Sequence, residues 1–345
     1  GVKLLCDILI VVVTIKFKTL ESIAIVILAM KILEEIINRI VVKKKYPELH
    51  EIARKDTSMV KMTKDLAWTQ LGYLILNNVD ALLLMGFNGP VMVSIYTTYN
   101  YILRFLTEIA SRVELSSVYS FGNVFAKKEE KRVYPLFKEY MMMFILIAFS
   151  MCLTFMIGIR GFVSIWVGKE NYILDYITVV LFTSTSFLNI LYFPLVALIN
   201  ADGLFKDNKK HIFICASVNL ILSIILINYL GINGILLGTG VAFLVNIALK
   251  SNLISKKITK EIKLSNILKY YIITIILFVV LSVALKPVEN YFLLTAGSFI
   301  TTILKLGIIF IIITLLTSLI LYVVSNDAKN LFRRLLNLIK RRLKK

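Results

Sequence analysis

With 345 residues, of which 58% are hydrophobic and only 18% charged, the chain carries more apolar surface than a soluble core can hide and too little charge to cover the rest. A soluble enzyme and a disordered chain are both excluded, and the composition is that of a multi-pass membrane protein. The net charge of +19, from 40 Lys and Arg against 21 Asp and Glu, would suggest nucleic acid in a soluble protein. In a membrane chain it is first a topology signal, and no nucleic-acid partner is expected.

In chain order, residues 2–15 are apolar but only about 14 long, short of the ~20 that cross a bilayer. No small-residue cleavage pattern follows them, so they read as a truncated membrane helix. Spans are expected over 20–42, 66–87, 91–113, 136–160, 172–200, 211–230, 233–254, 267–286 and 299–324, ten segments with the first. The predicted class is all-α, a polytopic transmembrane helical bundle of about ten helices including a partial first one. Two connections, Gly86-Phe87-Asn88-Gly89-Pro90 and Gly231-Ile232-Asn233-Gly234, are short, rich in breakers and suited to joining antiparallel neighbours. The organisation expected is a helical end at 1–42, a basic linker at 43–65, six spans in 66–254, two peripheral spans in 255–325 and a basic tail at 326–345.

The connections alternate in charge. Those at 43–64, 127–132, 206–210, 250–263 and 326–345 carry 27 Lys and Arg, while those at 16–19, 87–91, 158–171, 230–233 and 286–298 carry 5. The positive-inside bias assigns the first set, and the C-terminus, to the cytoplasm.

Polar residues inside the spans are the candidates for function. Gln70, Tyr73, Asn77 and Asp80 recur at steps of three and four, which sets them on one helix face, with Asn78 beside them. An acidic residue within a span normally faces a bundle interior or an aqueous cavity, so Asp80 reads as a cavity wall or cation site, the alternative being a hydrogen-bonded packing stripe. The span 91–113 holds Asn100, Arg104, Thr107, Glu108, Ser111 and Arg112. Arg104 with Glu108, and Glu108 with Arg112, have the i,i+4 spacing of ion pairs. Arg104 is the deeper cation and the candidate anion-binding group, because a guanidinium grips phosphate oxygens bidentately.

Further along, Thr178, Thr185, Asn189 and Tyr192 form a stripe that ends at Pro194, where a kink or hinge is expected. Asn219 with Ser223, and Thr239 with Asn246 and Lys250, share faces. Interhelical hydrogen bonding is the preferred reading for Ser223 and Thr239. Asp80, Asn77, Arg104 and Asn189 are expected to line one vestibule, with Asp80 and Arg104 roughly 9–10 Å apart in depth. Lys31, Glu35 and Arg39 should form a salt-bridged helix end. His50 and His211 are expected to be solvated, and two histidines are too few for a metal cluster. Cys6, Cys152 and Cys215 lie in apolar stretches without CxxC spacing, so no disulfide framework, metal site or cofactor is expected.

The tail is amphipathic, with Phe332, Leu335, Leu336, Ile339 and Leu343 on one face and basic residues on the other. Such a helix suits the anionic inner leaflet. No nucleophile elbow, zinc-protease, Walker A or dinucleotide motif is present in the sequence, and no enzyme is expected.

Several features resemble, in order, the polysaccharide flippases of the multidrug/oligosaccharidyl-lipid/polysaccharide exporter superfamily, of the O-antigen and teichoic-acid type. They are Lys43-Lys44-Lys45-Tyr46-Pro47-Glu48-Leu49, Asn77-Asn78-Val79-Asp80, Gly86-Phe87-Asn88-Gly89-Pro90, Tyr96 with Tyr99, Tyr192-Phe193-Pro194 leading to Asn200-Ala201-Asp202-Gly203, and Gly231-Ile232-Asn233-Gly234-Ile235. The resemblance implies a two-lobe transporter of twelve or fourteen helices in a prokaryotic plasma membrane. Residues 2–42 would match helices five and six, 66–254 the second lobe, and the last two spans helices thirteen and fourteen, so that about four N-terminal helices would be absent. It further implies flipping of an undecaprenyl-type lipid-linked glycan by alternating access, coupled to a proton or sodium ion at Asp80. Arg104 would attract phosphate, while Tyr73, Asn77, Asn100, Asn189 and Asn219 would bind sugar hydroxyls. A drug/cation antiporter of the same superfamily is the alternative, and should lean on acidic and aromatic residues. A membrane glycan polymerase or acyltransferase should instead show a large outer loop, and a non-transporting scaffold would not need the polar stripes.

Overall fold

The structure is a computed structural model that describes residues 2–17, 19–45, 57–258, 263–295 and 297–343. Among them every long element is a helix: α1 (Val2–Phe17), α2 (Leu20–Lys45), α3 (Thr57–Ala126), α4 (Val133–Trp166), α5 (Tyr176–Leu191), α6 (Phe193–Asp202), α7 (Phe205–Leu230), α8 (Ile232–Lys257), α9 (Leu264–Ala284), α10 (Lys286–Leu294), α11 (Phe299–Val324) and α12 (Asn326–Leu343). Seven stretches are long and apolar enough to cross a membrane, with α5 and α6 counted together. The chain is a polytopic helical bundle. His50 and residues 46–56 of the expected linker lie outside the described residues.

Two compact units divide between Val60 and Lys61. In the first, α1 and α2 pack on each other. Arg39 pairs with Glu35 at 3.0 Å as expected, whereas Lys31 reaches Glu34 at 2.7 Å. These charges keep α2, expected as a span, out of the seven apolar stretches.

The second unit begins with α3, in which one residue, Gly89 (φ 79°, ψ 177°), departs from helical geometry. The Tyr96 hydroxyl donates to Asp80 Oδ2 at 3.2 Å. Continuous helix would hold residues sixteen apart at about 24 Å, so the two limbs of α3 fold back on each other at Gly89. Only glycine enters that backbone region without strain, and Pro90 is well placed to open the second limb. The turn is tighter than the five residues expected, since Gly86, Phe87 and Asn88 stay helical. The second limb also runs past the expected end at 113 to Ala126, held there by the buried Ser117 and Phe121.

Helix α4 is the central post. It packs against α5, α9, α10, α11 and α12. It carries no charged residue between Glu139 and Arg160, a stretch of about 30 Å, which matches the hydrocarbon thickness of a bilayer. Its Phe149 meets Phe187 and Phe278 edge-on, and those two rings stack with centroids 3.9 Å apart. By contrast none of the most apolar window of α11 is buried, as befits a helix facing lipid.

The bend at Pro194 is a true break between α5 and α6. The backbone groups it frees find other partners: the Tyr271 hydroxyl of α9 donates to Leu191 O at 2.9 Å, which is how membrane proteins tolerate a broken helix. Helices α7 and α8 nearly touch. A Cβ on Gly238 would lie 2.5 Å from Ser223 Oγ, and one on Gly234 would lie 2.4 Å from Leu226 O. Small residues four apart permit such backbone approach.

The connection 286–298 contains α10, and the tail is helical as expected. The first half of α12 docks on the protein: Asp327 pairs with Lys138 at 2.8 Å, Arg334 with Glu139 at 3.0 Å, and Ala328 and Leu331 are buried. Leu336 is exposed, while the side chains of Leu335, Ile339 and Leu343 lie outside the described residues.

Candidate substrate cavity

Both limbs of α3, the α5–α6 pair and α8 enclose a cavity of about 460 Å³. Of the residues singled out in the sequence, Tyr73, Asp80, Asn100, Arg104 and Asn189 line it. The backbone of Asn77 belongs to α3, and its side chain lies outside the described residues. Asn219 is not on the wall but stands one hydrogen bond behind it. The wall is amphipathic, with neutral polar groups such as Gln70, Asn200 and Ser186 between the aromatic rings of Tyr96, Phe182, Tyr192, Phe193 and Phe243.

Asp80 is the buried end of the cavity. Its Oδ2 accepts from Thr239 Oγ1 at 2.9 Å and from the Tyr96 hydroxyl at 3.2 Å, and Asn219 Nδ2 donates to Thr239 Oγ1 at 2.7 Å. This chain joins α3, α7 and α8. Asp80 Oδ1 and Asn219 Oδ1 are buried without a hydrogen-bond partner among the described residues. Two orphaned acceptors on one polar chain are the arrangement that a proton or a small hard cation would complete.

Arg104 is exposed toward the cavity and makes no ion pair among the described residues. The expected bridges Arg104–Glu108 and Glu108–Arg112 are absent there. All three side chains are exposed along one face of the second limb, where water screens such pairs and side-chain entropy opposes them. The guanidinium fork is therefore available to a ligand. Several hydroxyls on the same wall donate back into their own helices, Thr107 to Arg104 O, Ser111 to Glu108 O and Thr185 to Phe182 O, at 2.8–2.9 Å. Their free capacity is as acceptors.

Glu114 also lines the cavity, with Oε1 buried and unpartnered. It falls one residue past the span end read from hydropathy. The helical spacing 104, 107, 111, 114 was the signal that would have included it. Thr239, read as glue, is both glue and the direct partner of Asp80.

His211, expected to be solvated, is half-buried with Nδ1 unpartnered. It belongs to a second cluster behind the wall. Lys250 is fully buried, Nζ donates to Asn208 Oδ1, and the ammonium stands 6.0 Å from the Tyr73 ring centroid. Among the described residues no carboxylate pairs with it. Removing one partner of a buried polar pair is costly, whereas apolar residues in place of both are often tolerated. Asn208→Leu should therefore lower the unfolding free energy by about 1.5–3 kcal/mol. Lys250→Met alone strands the buried Asn208 Oδ1 and should also cost about 1–3 kcal/mol, whereas the Asn208→Leu/Lys250→Met double variant should be close to neutral. Thermal unfolding in detergent reads this, and an Asn208→Leu variant that melts like the parent would contradict it.

Among the described residues no three His, Cys, Asp or Glu side chains gather as a metal site, and Cys152 and Cys215 are free and buried. Comparison with known proteins finds no matching family model, curated protein or solved structure.

Proposed function

We propose that this bundle translocates lipid-linked oligosaccharide or polysaccharide precursors across a prokaryotic plasma membrane by alternating access. The observation that carries the reading is the cavity, a polar chamber within otherwise apolar membrane helices, with a guanidinium on its wall that pairs with no carboxylate among the described residues. Carrying an anionic sugar headgroup through about 30 Å of hydrocarbon strips its hydration. Neutral amides and acceptor hydroxyls replace that hydration for sugar O–H groups, aromatic rings pack on sugar faces, and Arg104 meets phosphate. Asp80, with its unpartnered oxygen, is the group to hold a coupling proton or sodium ion. The acyl carrier stays in the lipid throughout.

A second reading has its own observation. Three carboxylates, Asp80, Glu108 and Glu114, line the cavity against one cation, which favours a cationic amphiphile and hence a drug/cation antiporter. The two separate in a binding experiment on the full chain in neutral detergent. An undecaprenyl pyrophosphate-linked oligosaccharide should be retained in native mass spectra better than the same carrier without sugar, and tetraphenylphosphonium should not displace it. Retention of tetraphenylphosphonium with no preference for the glycan would overturn the flippase reading in favour of the antiporter.

A further inference from the structure

A second concavity, of about 560 Å³, lies at the far end of the second limb of α3 from Gly89, between that helix end, the start of α4 and α12. Its apolar lining is the buried Leu136, the half-buried Val124 and the exposed Pro135. Its rim carries Lys127, Arg132 and Arg334. The two carboxylates present are already engaged: Glu129 pairs with Arg132 at 2.6 Å and Glu139 with Arg334 at 3.0 Å. The hydrogen bond from Arg132 holds the Glu129 carboxyl below its usual range, so that pair persists at neutral pH. Each guanidinium has five N–H donors and keeps some free. The Lys127 ammonium and the Asn123 side-chain amide make no hydrogen bond or ion pair among the described residues, although the Lys127 charge also acts on Glu129. The groove is thus cationic by the one unpaired lysine and rich in unused donors. The exposed Lys128 and Lys131 stand beside it in the chain, and α4 begins at Val133 next to it.

Depth tells what such a groove would meet. The uncharged stretch of α4 begins just after Glu139, so residues 127–139 sit where hydrocarbon gives way to headgroups. Tyr119, 70% exposed, marks the same zone as an interfacial aromatic. A cationic rim over an apolar lining at headgroup depth fits one ligand class.

We propose that this groove binds the phosphodiester headgroup of an anionic phospholipid. Arg132 and Arg334 grip the phosphate, Lys127 adds charge, Asn123 bonds the headgroup polar atoms, and the acyl chains leave over Val124 and Leu136. Because Arg334 belongs to α12 while Lys127 and Arg132 belong to the α3–α4 turn, the lipid clamps the tail onto the bundle and reinforces the Asp327–Lys138 contact. This site is independent of what the larger cavity transports.

The test uses the full chain in neutral detergent with dioleoylphosphatidylglycerol, dioleoylphosphatidylcholine and inorganic phosphate as probes. Native mass spectrometry should show phosphatidylglycerol retained in preference to phosphatidylcholine. Hydrogen exchange in α12 should slow when phosphatidylglycerol is added, and inorganic phosphate should reproduce neither effect. Affinity should fall about fivefold for each basic side chain removed, so Lys127→Ala/Arg132→Ala/Arg334→Ala should bind no better than it binds phosphatidylcholine. The control Lys256→Ala/Lys263→Ala, which leaves the groove intact, should behave as the parent. Lys127→Gln alone, which breaks no ion pair, guards against a misfolded triple variant and should still weaken binding about fivefold. Equal retention of the two lipids, full displacement by inorganic phosphate, or parental affinity in the Lys127→Gln variant would each overturn the proposal.

Discussion

Arg160→Ala is expected to lower the free energy of unfolding by about 3–5 kcal/mol, the usual cost of stranding one partner of a buried ion pair. Arg160 Nη1 donates to both carboxylate oxygens of Glu289, at 3.1 and 3.2 Å, and Glu289 is 0% exposed. The pair ties α10 to the end of α4. Replacing both partners by leucine should cost far less, because no charge is left behind. The pH dependence follows from Glu289 itself. Burial pushes its carboxyl above the usual value of 4.5, and Arg160 opposes that. A carboxyl raised in the folded state holds its proton more tightly there than in the unfolded chain. Its stabilising contribution is therefore complete below the unfolded value and is lost as pH rises through the folded one. Without Arg160 the shift grows, so the deficit of Arg160→Ala should widen as pH rises above the usual carboxyl value of 4.5. Adding Glu289→Gln should flatten it. Unfolding in mixed detergent micelles below and above that value measures both, and a pH-independent deficit would sink the account.

Arg104→Ala should weaken binding of a pyrophosphate-linked glycan by about 10–150-fold, corresponding to the loss of hydrogen bonds to a charged group. Helix content and melting temperature should stay at the parental level, because Arg104 is exposed and bridges nothing among the described residues. Arg104→Lys should restore part of the affinity, since an ammonium supplies charge without the planar fork. The same carrier lacking phosphate should bind parent and variant alike. Undiminished affinity in Arg104→Ala would remove the phosphate role while leaving the rest of the cavity reading intact.

Most of the architecture was legible because bilayer helices must hide every backbone polar group and announce themselves by length and hydropathy. The fold-back at Gly89 and the break at Pro194 followed from two residues whose backbone chemistry allows little else. The stripe of Tyr73 and Asp80, and the placing of Arg104 and Asn189 on polar faces, followed from helical spacing, and all four line one cavity. What stayed hidden were relations between distant segments. Arg160 and Glu289 each fell in a stretch read as a connection, where a lone charge looks solvated. Their meeting depends on α10, a helix too short for its hydropathy to register. Lys250 looked like one more polar residue on α8, and nothing local signals that Asn208, 42 positions earlier, is its partner. The tail showed its amphipathic face in sequence, but not that half of it would rest on α4, because docking is decided by shape and by charges supplied from another helix.

The uncharged stretch of α4 also sets a thickness. Ion pairs fasten both of its ends, Glu139 and Lys138 to α12 and Arg160 to α10. The helix therefore cannot slide along the membrane normal to suit a thicker or thinner bilayer without drawing one set of charges into hydrocarbon. Tilt is the remaining freedom, and it shortens the span but does not lengthen it. The chain is thereby tuned to acyl tails that give about 30 Å of hydrocarbon, and hydrophobic mismatch becomes a means of sorting it among membranes of different lipid length.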